Sequence, residues 1–270
     1  MMTKFSIPDI QNQEDKRQRA IDRVGIRAVR HPFVFQDKDE SGPCATVGRF
    51  NLFVSLPHHK KGTHMSRFVD FLNNDLSTLS IADLDGTVTQ MTEKLGAEDG
   101  FFSVAFPFFI QKSAPVSHEK SIVDYDVILS ASLEKGKLTR TIRVIVPITT
   151  LCPCSKEISD YGAHNQRSYI TLTAALNAPV NLKSLINALE RQGSSEVYSL
   201  LKRPDEKYVT EYAYDNPKFV EDLVRDLAAL IDNCPAITAY RIESENMESI
   251  HNHSAYAMIE SPNADELNVV

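Results

Sequence analysis

The chain has 270 residues, 42% hydrophobic and 24% charged, with a formal net charge of −7; this is the composition of a soluble globular protein of one large or two ordinary domains. The net acidity argues against a surface that coats nucleic acid, and no apolar run approaches the length of a membrane span. The polar N-terminus fits neither a signal peptide nor a transit sequence, and four scattered cysteines read as reduced thiols, so the expected setting is cytoplasmic.

Residues 1–20 read as a flexible lead-in. In residues 50–56 the even positions Phe50, Leu52, Val54 and Leu56 are apolar, the period of a strand with one buried face, and Pro57 closes it. A further strand has room before Phe50. From about Ser66, the residues Phe68, Val69, Phe71, Leu72 and Leu76 recur at helical spacing, and a second helix is expected over 81–95, ended by Gly96. Strands follow at 101–110 and 123–131. Gly136 marks a turn, after which Leu138, Ile142, Val144, Val146 and Ile148 share one face, with Arg140 as its polar interruption.

Ile170, Leu172, Ala174 and Leu176 make the next strand. Helices are expected at 182–191 and 217–231. The second has Asn216 as N-cap, Pro217 at the first helical position, and Phe219, Val220, Leu223, Leu227 and Leu230 as its apolar stripe. Strands at 236–243 and 255–259 end the chain. The order of strands and helix pair thus occurs twice, in 21–134 and 135–270. Two α+β modules are expected, each an antiparallel four-stranded sheet with a helix pair on one face. The other face then calls for further subunits.

The chemistry concentrates in 151–167. Cys152 and Cys154, at spacing i, i+2 on an expected extended segment, point to one side, and Pro153 stiffens them. Neither redox nor paired structural-zinc spacing is present, and only one obvious histidine, His164, lies nearby, which favours an open catalytic metal site over a closed one. Two buried small hydrophobes are the bland alternative. His251-Asn252-His253 can chelate, relay protons or bind phosphate, or form an exposed polar turn. Lys61, His64, Ser66 and Arg67 join a strand to a helix N-terminus, suited to an anion or to solvent. By periodicity alone, Glu206 and Glu221 read as solvated carboxylates.

KGTHMSR at 61–67, LCPCSKEIS at 151–159 and GAHNQRS at 162–168 together resemble the prokaryotic type IB GTP cyclohydrolase I family. Glu206, NPKFVED at 216–222 and His251-Asn252-His253 fit the same pattern in the same order, and the likeness covers nearly everything beyond the first twenty residues. The resemblance implies tandem tunnelling-fold (T-fold) modules in a homo-oligomer, a tetramer being expected, with active sites at subunit interfaces. It implies conversion of GTP and water to 7,8-dihydroneopterin triphosphate and formate, toward folate-type pterins and queuosine-type deazapurines. One divalent metal, zinc or manganese, is implied, and no organic cofactor.

Residue by residue, the resemblance makes Cys152, His164 and Glu206 the metal ligands, and His251 and His253 the acid–base pair. Cys154 becomes a proton carrier or orienting group near the metal. Glu221 takes the guanine edge, and Lys61, His64, Ser66 and Arg67 take the triphosphate. The rival readings are a nitrile-reducing oxidoreductase of the same fold, which needs only one nucleophilic cysteine, and a purine-binding module without turnover.

Overall fold

Period-2 alternation carries much of the chain into strands. The computed structural model, which describes residues 9–11, 13–38 and 42–267, joins them in a single sheet. In chain order the elements are β1 (Ile21–Phe35), β2 (Cys44–Leu56), α1 (Met65–Asn74), β3 (Thr78–Leu79), α2 (Leu84–Leu95), β4 (Gly100–Ser113), β5 (Lys120–Glu134) and β6 (Lys137–Leu151). There follow α3 (Pro153–Ile158), β7 (Asn165–Leu176), α4 (Leu182–Glu190), β8 (Ser195–Glu196), α5 (Arg203–Asp215), α6 (Val220–Asp232), β9 (Ile237–Asn246) and β10 (Ala255–Glu260). The sheet runs β10-β9-β7-β6-β5-β4-β2-β1-β3, with β8 also on β6. Among the described residues, only β3, against β1, pairs parallel.

A four-stranded sheet was expected in each module; the described strands of both halves join in one continuous sheet. β5 and β6 pair from Asp126 opposite Ile145 to Glu134 opposite Lys137. The turn between them puts Lys135 and Gly136 at φ 51° and 80°, the left-handed backbone that a two-residue hairpin needs to match strand twist.

The expected strand alternations hold where both neighbours are strands. Phe50, Leu52 and Val54, then Phe102 and Val104, Leu129, Ile142, Leu172 and Ile242 lie on one face across successive strands. Leu138, expected on that face, is exposed instead, two residues from the Gly136 turn at the tip of the β5–β6 hairpin. α1 buries Phe68, Phe71 and Leu72, and α2 ends at Gly96 in the left-handed conformation. α2 starts at Leu84 rather than at 81, since the Ser80 hydroxyl and Asp83 carboxylate close a turn just before it.

Among the described residues the second half carries four α-helices where a pair was expected. α4 and α6 bury apolar stripes in the core. α5 escaped the periodicity because it buries only Asp205 and Ala213. Asn216 is not the N-cap of α6: it is the C-cap of α5, and Phe219 stands at the N-cap of α6. The intervening Lys218 donates its backbone N–H to Leu151 O (3.0 Å), which holds the connecting segment out of the helix.

Away from the helices, the sheet's second face presents Val47, Phe109, Ile122, Tyr169, Tyr256 and Met258 to solvent. Among the described residues no helix is long and apolar enough to cross a membrane. The described part of the N-terminal lead-in lies along residues 59–62, with Lys61 N donating to Gln13 O and Gly62 N to Gln11 O (both 3.1 Å).

Two polar anchors join the halves. Buried Lys112 of β4 binds Glu190 at the end of α4 (2.8 Å) and Glu196 of β8 (2.7 Å), while the Tyr125 hydroxyl donates to Glu190 (2.8 Å). Burial pushes the Glu190 carboxyl up, against the pull of the Lys112 ammonium. Lys112→Met strands Glu190 without its counter-charge, and urea unfolding is expected to register a loss of about 3–5 kcal/mol.

Asp205 is the second anchor. It accepts from the backbone N–H groups of Val116 and Ser117 (both 2.8 Å), the Ser117 hydroxyl (2.6 Å) and Lys202 N (2.8 Å). Burial works against its charge, but these four donors outweigh it and hold the carboxyl well below the usual carboxylate range. A depressed folded-state value gives stability that is complete above the unfolded value near pH 4 and fades as pH falls. Asp205→Ala is therefore expected to lower the urea midpoint at pH 7, with the gap to the parent protein narrowing below pH 4.

Candidate active site

One end of the second half collects most of the chemistry. β6 stops at Leu151, β7 starts at Asn165 opposite it, and β9 stops at Asn246 opposite Ser168. The 152–164 and 247–254 loops therefore share that end, with Met247 N donating to Arg167 O (2.9 Å). α6 begins there too, through the bond from Lys218 N to Leu151 O.

Cys152 has extended backbone (φ −68°, ψ 116°) and is the N-cap of α3, its sulfur accepting from Ser155 N (3.4 Å). The extended Cys-Pro-Cys segment is thus corrected: a proline pre-set for the first helical position turns the chain helical at Pro153. Cys154 lies in the first turn of α3 and is exposed, whereas Cys152 is partly covered. Their side chains consequently do not project to one side as strand residues would.

Cys152 N donates to His164 O (3.1 Å), and His164 N donates to Ser155 Oγ (3.2 Å). These bonds bring a thiol and an imidazole to adjoining backbone. His164 Nδ1 lies 3.0 Å from Gln166 Oε1 and 4.0 Å from Glu248 Oε2. On the other side of β6, Leu151 N donates to the Ser194 hydroxyl (3.0 Å), so both backbone groups of Leu151 are engaged just before Cys152.

Glu206 is exposed in the first turn of α5, and the far end of that helix reaches α3 where Lys156 Nζ donates to Tyr214 O (2.6 Å). Among the described residues no three His, Cys, Asp or Glu side chains stand close enough together to hold a metal ion. Cys152 and His164 have the donor chemistry and adjacency for a borderline-soft divalent ion, and Nε2 of His164 is left for it. Glu206 is not closed on them.

Glu221 is exposed in the acidic first turn of α6, with Asp222 beside it. His251 and His253 are exposed on the β9–β10 loop, their rings stacked 5.1 Å apart at 14°. A bond from the Ser254 hydroxyl to Glu245 (2.7 Å) braces the loop.

Lys61, His64, Ser66 and Arg67 lie elsewhere. They follow β2, whose end faces the start of β4, the end of β5 and the start of β6. The 15 residues of β6 separate them from Cys152 by about 45 Å, at roughly 3.3 Å per residue. There Lys61 Nζ donates to Gln13 Oε1 (3.1 Å), and His64 Nε2 stands 3.3 Å from Asp9 Oδ2. Within one chain these four do not meet the cysteines.

Gln166 and Glu248 were missed by sequence reasoning. Gln166 is two residues from His164 at the start of a strand, a spacing that puts both on one side. Glu248 has no local signal, because only the loop's return places it there.

A family model described as type I GTP cyclohydrolase folE2 matches residues 7–257. A GTP cyclohydrolase FolE2 of Thiobacillus denitrificans is 53% identical over 258 residues, covering 96% of each chain. Another, of Methylobacillus flagellatus, is 54% identical over 262 residues, covering 96% of this chain and 98% of that one. Among solved structures, the uricase of Arthrobacter globiformis aligns at TM-score 0.48 and 9% identity over 89% of this chain and 92% of that one.

Proposed function

The chain belongs to the type I GTP cyclohydrolase FolE2 family, and from this we infer that it converts GTP and water to 7,8-dihydroneopterin triphosphate and formate at the Cys152–His164 end of its sheet. The convergence of Cys152 and His164 through a 3.1 Å backbone hydrogen bond carries that assignment of place. The product suits folate-type pterin synthesis in the cytoplasm. Neither rival reading is favoured, since relatives 50–54% identical to this chain are GTP cyclohydrolases FolE2.

Cys152, His164 and Glu206 would hold one divalent ion, zinc or manganese, which when bound supplies an acidified water for attack at C8 of the purine. Everything else falls to the chain's own groups. Glu221 accepts from guanine N1–H and the 2-amino group, a pair of donors that adenine does not offer. His251 and His253 move protons to and from the ring nitrogens as the imidazole opens and formyl leaves. Cys154, at the exposed lip, orients or carries a proton.

The triphosphate falls to Lys61, His64, Ser66 and Arg67 of a neighbouring subunit, because about 45 Å of strand keeps this chain's own copies away. The exposed hydrophobic side chains on the second face of the sheet, with Ile122 62% exposed, support such an assembly. We read it as a tetramer of tandem T-fold modules, 21–134 and 135–270, preceded by a flexible segment over 1–20.

Purified protein given GTP and zinc or manganese is expected to release formate and fluorescent pterin, and to stop when the metal is chelated. Tight GTP binding without formate would leave a purine-binding module instead. His253→Ala is expected to lower kcat about 100-fold, on the scale of general acid–base catalysis, with the circular dichroism spectrum unchanged. A near-normal rate would leave His251 alone in the role.

A further inference from the structure

His164 has one ring nitrogen engaged by a buried polar relay. Gln166, 7% exposed, sets its Oε1 3.0 Å from His164 Nδ1 and donates from Nε2 to the Thr150 hydroxyl (2.8 Å). Thr150 in turn shares a 2.7 Å hydrogen bond with Ser168. Both hydroxyls are fully buried, out of reach of bulk solvent.

A side-chain amide donates through nitrogen and accepts through oxygen, so the bond to Thr150 and the facing of Oε1 to His164 are one decision. With the amide reversed, the hydroxyls could turn and still satisfy it. Glu248 breaks that tie. Its Oε2 lies 4.0 Å from the same Nδ1, and a lone pair there would confront a carboxylate, whereas an N–H is attracted by it. Two oxygens facing Nδ1 require that this nitrogen carry the hydrogen.

We propose that Gln166, seconded by Glu248, is a positioning residue that locks His164 as the Nδ1–H tautomer and presents the lone pair of Nε2 to the reacting end of the sheet. A free neutral imidazole in water favours the opposite tautomer, so without the lock most of the population would present an N–H where a lone pair is needed. Thr150 and Ser168 keep the amide from turning. The proposal rests on the cyclohydrolase reading only for why Nε2 must be free; the tautomer itself is a property of the folded chain.

The test uses the full-length protein labelled with 15N-histidine, His164→Ala identifying the resonances. The solid-state 15N spectrum of the parent is expected to show Nδ1 of His164 bearing hydrogen and Nε2 without it, and Nε2–H in the parent overturns the proposal. Gln166→Leu is expected to move the population toward Nε2–H. It should also weaken zinc binding, measured by chelator competition, by about 10–100-fold, the cost of removing such an outer partner.

Gln166→Glu keeps an oxygen for Nδ1–H and should stay within about threefold of the parent in zinc affinity, well short of that loss. Equal impairment of the two variants would reduce Gln166 to a packing role and overturn the proposal. Absence of formate from GTP would sink the proposed function while leaving the spectrum to decide the tautomer.

Discussion

Cys152→Ala is expected to lose bound metal and GTP turnover together, turnover falling by roughly 1,000-fold, the scale of removing a principal stabiliser of charge at a reacting centre. The backbone around Cys152 is held without its sulfur: Leu151 N goes to Ser194, Leu151 O receives Lys218, and Cys152 N reaches His164 O. The alanine variant should therefore fold, which makes metal content a clean reading. The sulfur accepts from Ser155 N at 3.4 Å; a thiol is a weak acceptor, and loss of this bond loosens the cap of α3. Elemental analysis and formate release on the same preparation decide the matter. Full metal occupancy in the variant would remove Cys152 from the ligand set, and Cys154→Ala, expected to retain metal, is the paired control.

Glu221→Ala should weaken GTP binding by about 1,000-fold while leaving metal content alone. Two hydrogen bonds to a charged acceptor contribute about 1.5–3 kcal/mol each, and about 4 kcal/mol together corresponds to that factor. The carboxylate stands in the first turn of α6, where the helix dipole favours negative charge. Equilibrium binding of GTP and of inosine triphosphate, which lacks the 2-amino group, measures the contribution of each bond. The parent should bind inosine triphosphate less tightly than GTP, and the variant should bind the two alike. Unchanged GTP affinity in Glu221→Ala would discard the purine-edge role.

Local pattern disclosed the long central strands because each has one buried face, and alternation survives in sequence whatever the neighbours are; it left out the two-residue β3 and β8. It disclosed α1, α4 and α6 through their apolar stripes. It failed at α5, which is held by Asp205 and its four donors rather than by apolar burial. It misjudged Asn216, since a polar residue before a proline looks alike as the end of one helix or the start of the next. Cys152, His164 and the 251–253 histidines were visible as types and spacings, and the family motifs gave them roles.

Residue order alone was enough for the long strands, the helices with apolar stripes, the candidate chemistry and the family, because period, turn chemistry and motif strings are local properties. Folding in three dimensions was needed to join two expected sheets into one, to turn Cys-Pro-Cys into a helix start, and to put Glu248 and Gln166 on the same nitrogen of His164. It also carried Lys61, His64, Ser66 and Arg67 to the far end of the sheet from Cys152. Strand direction and register are long-range pairings, and nothing in a short stretch of chain encodes which end of a 15-residue strand its neighbours will share.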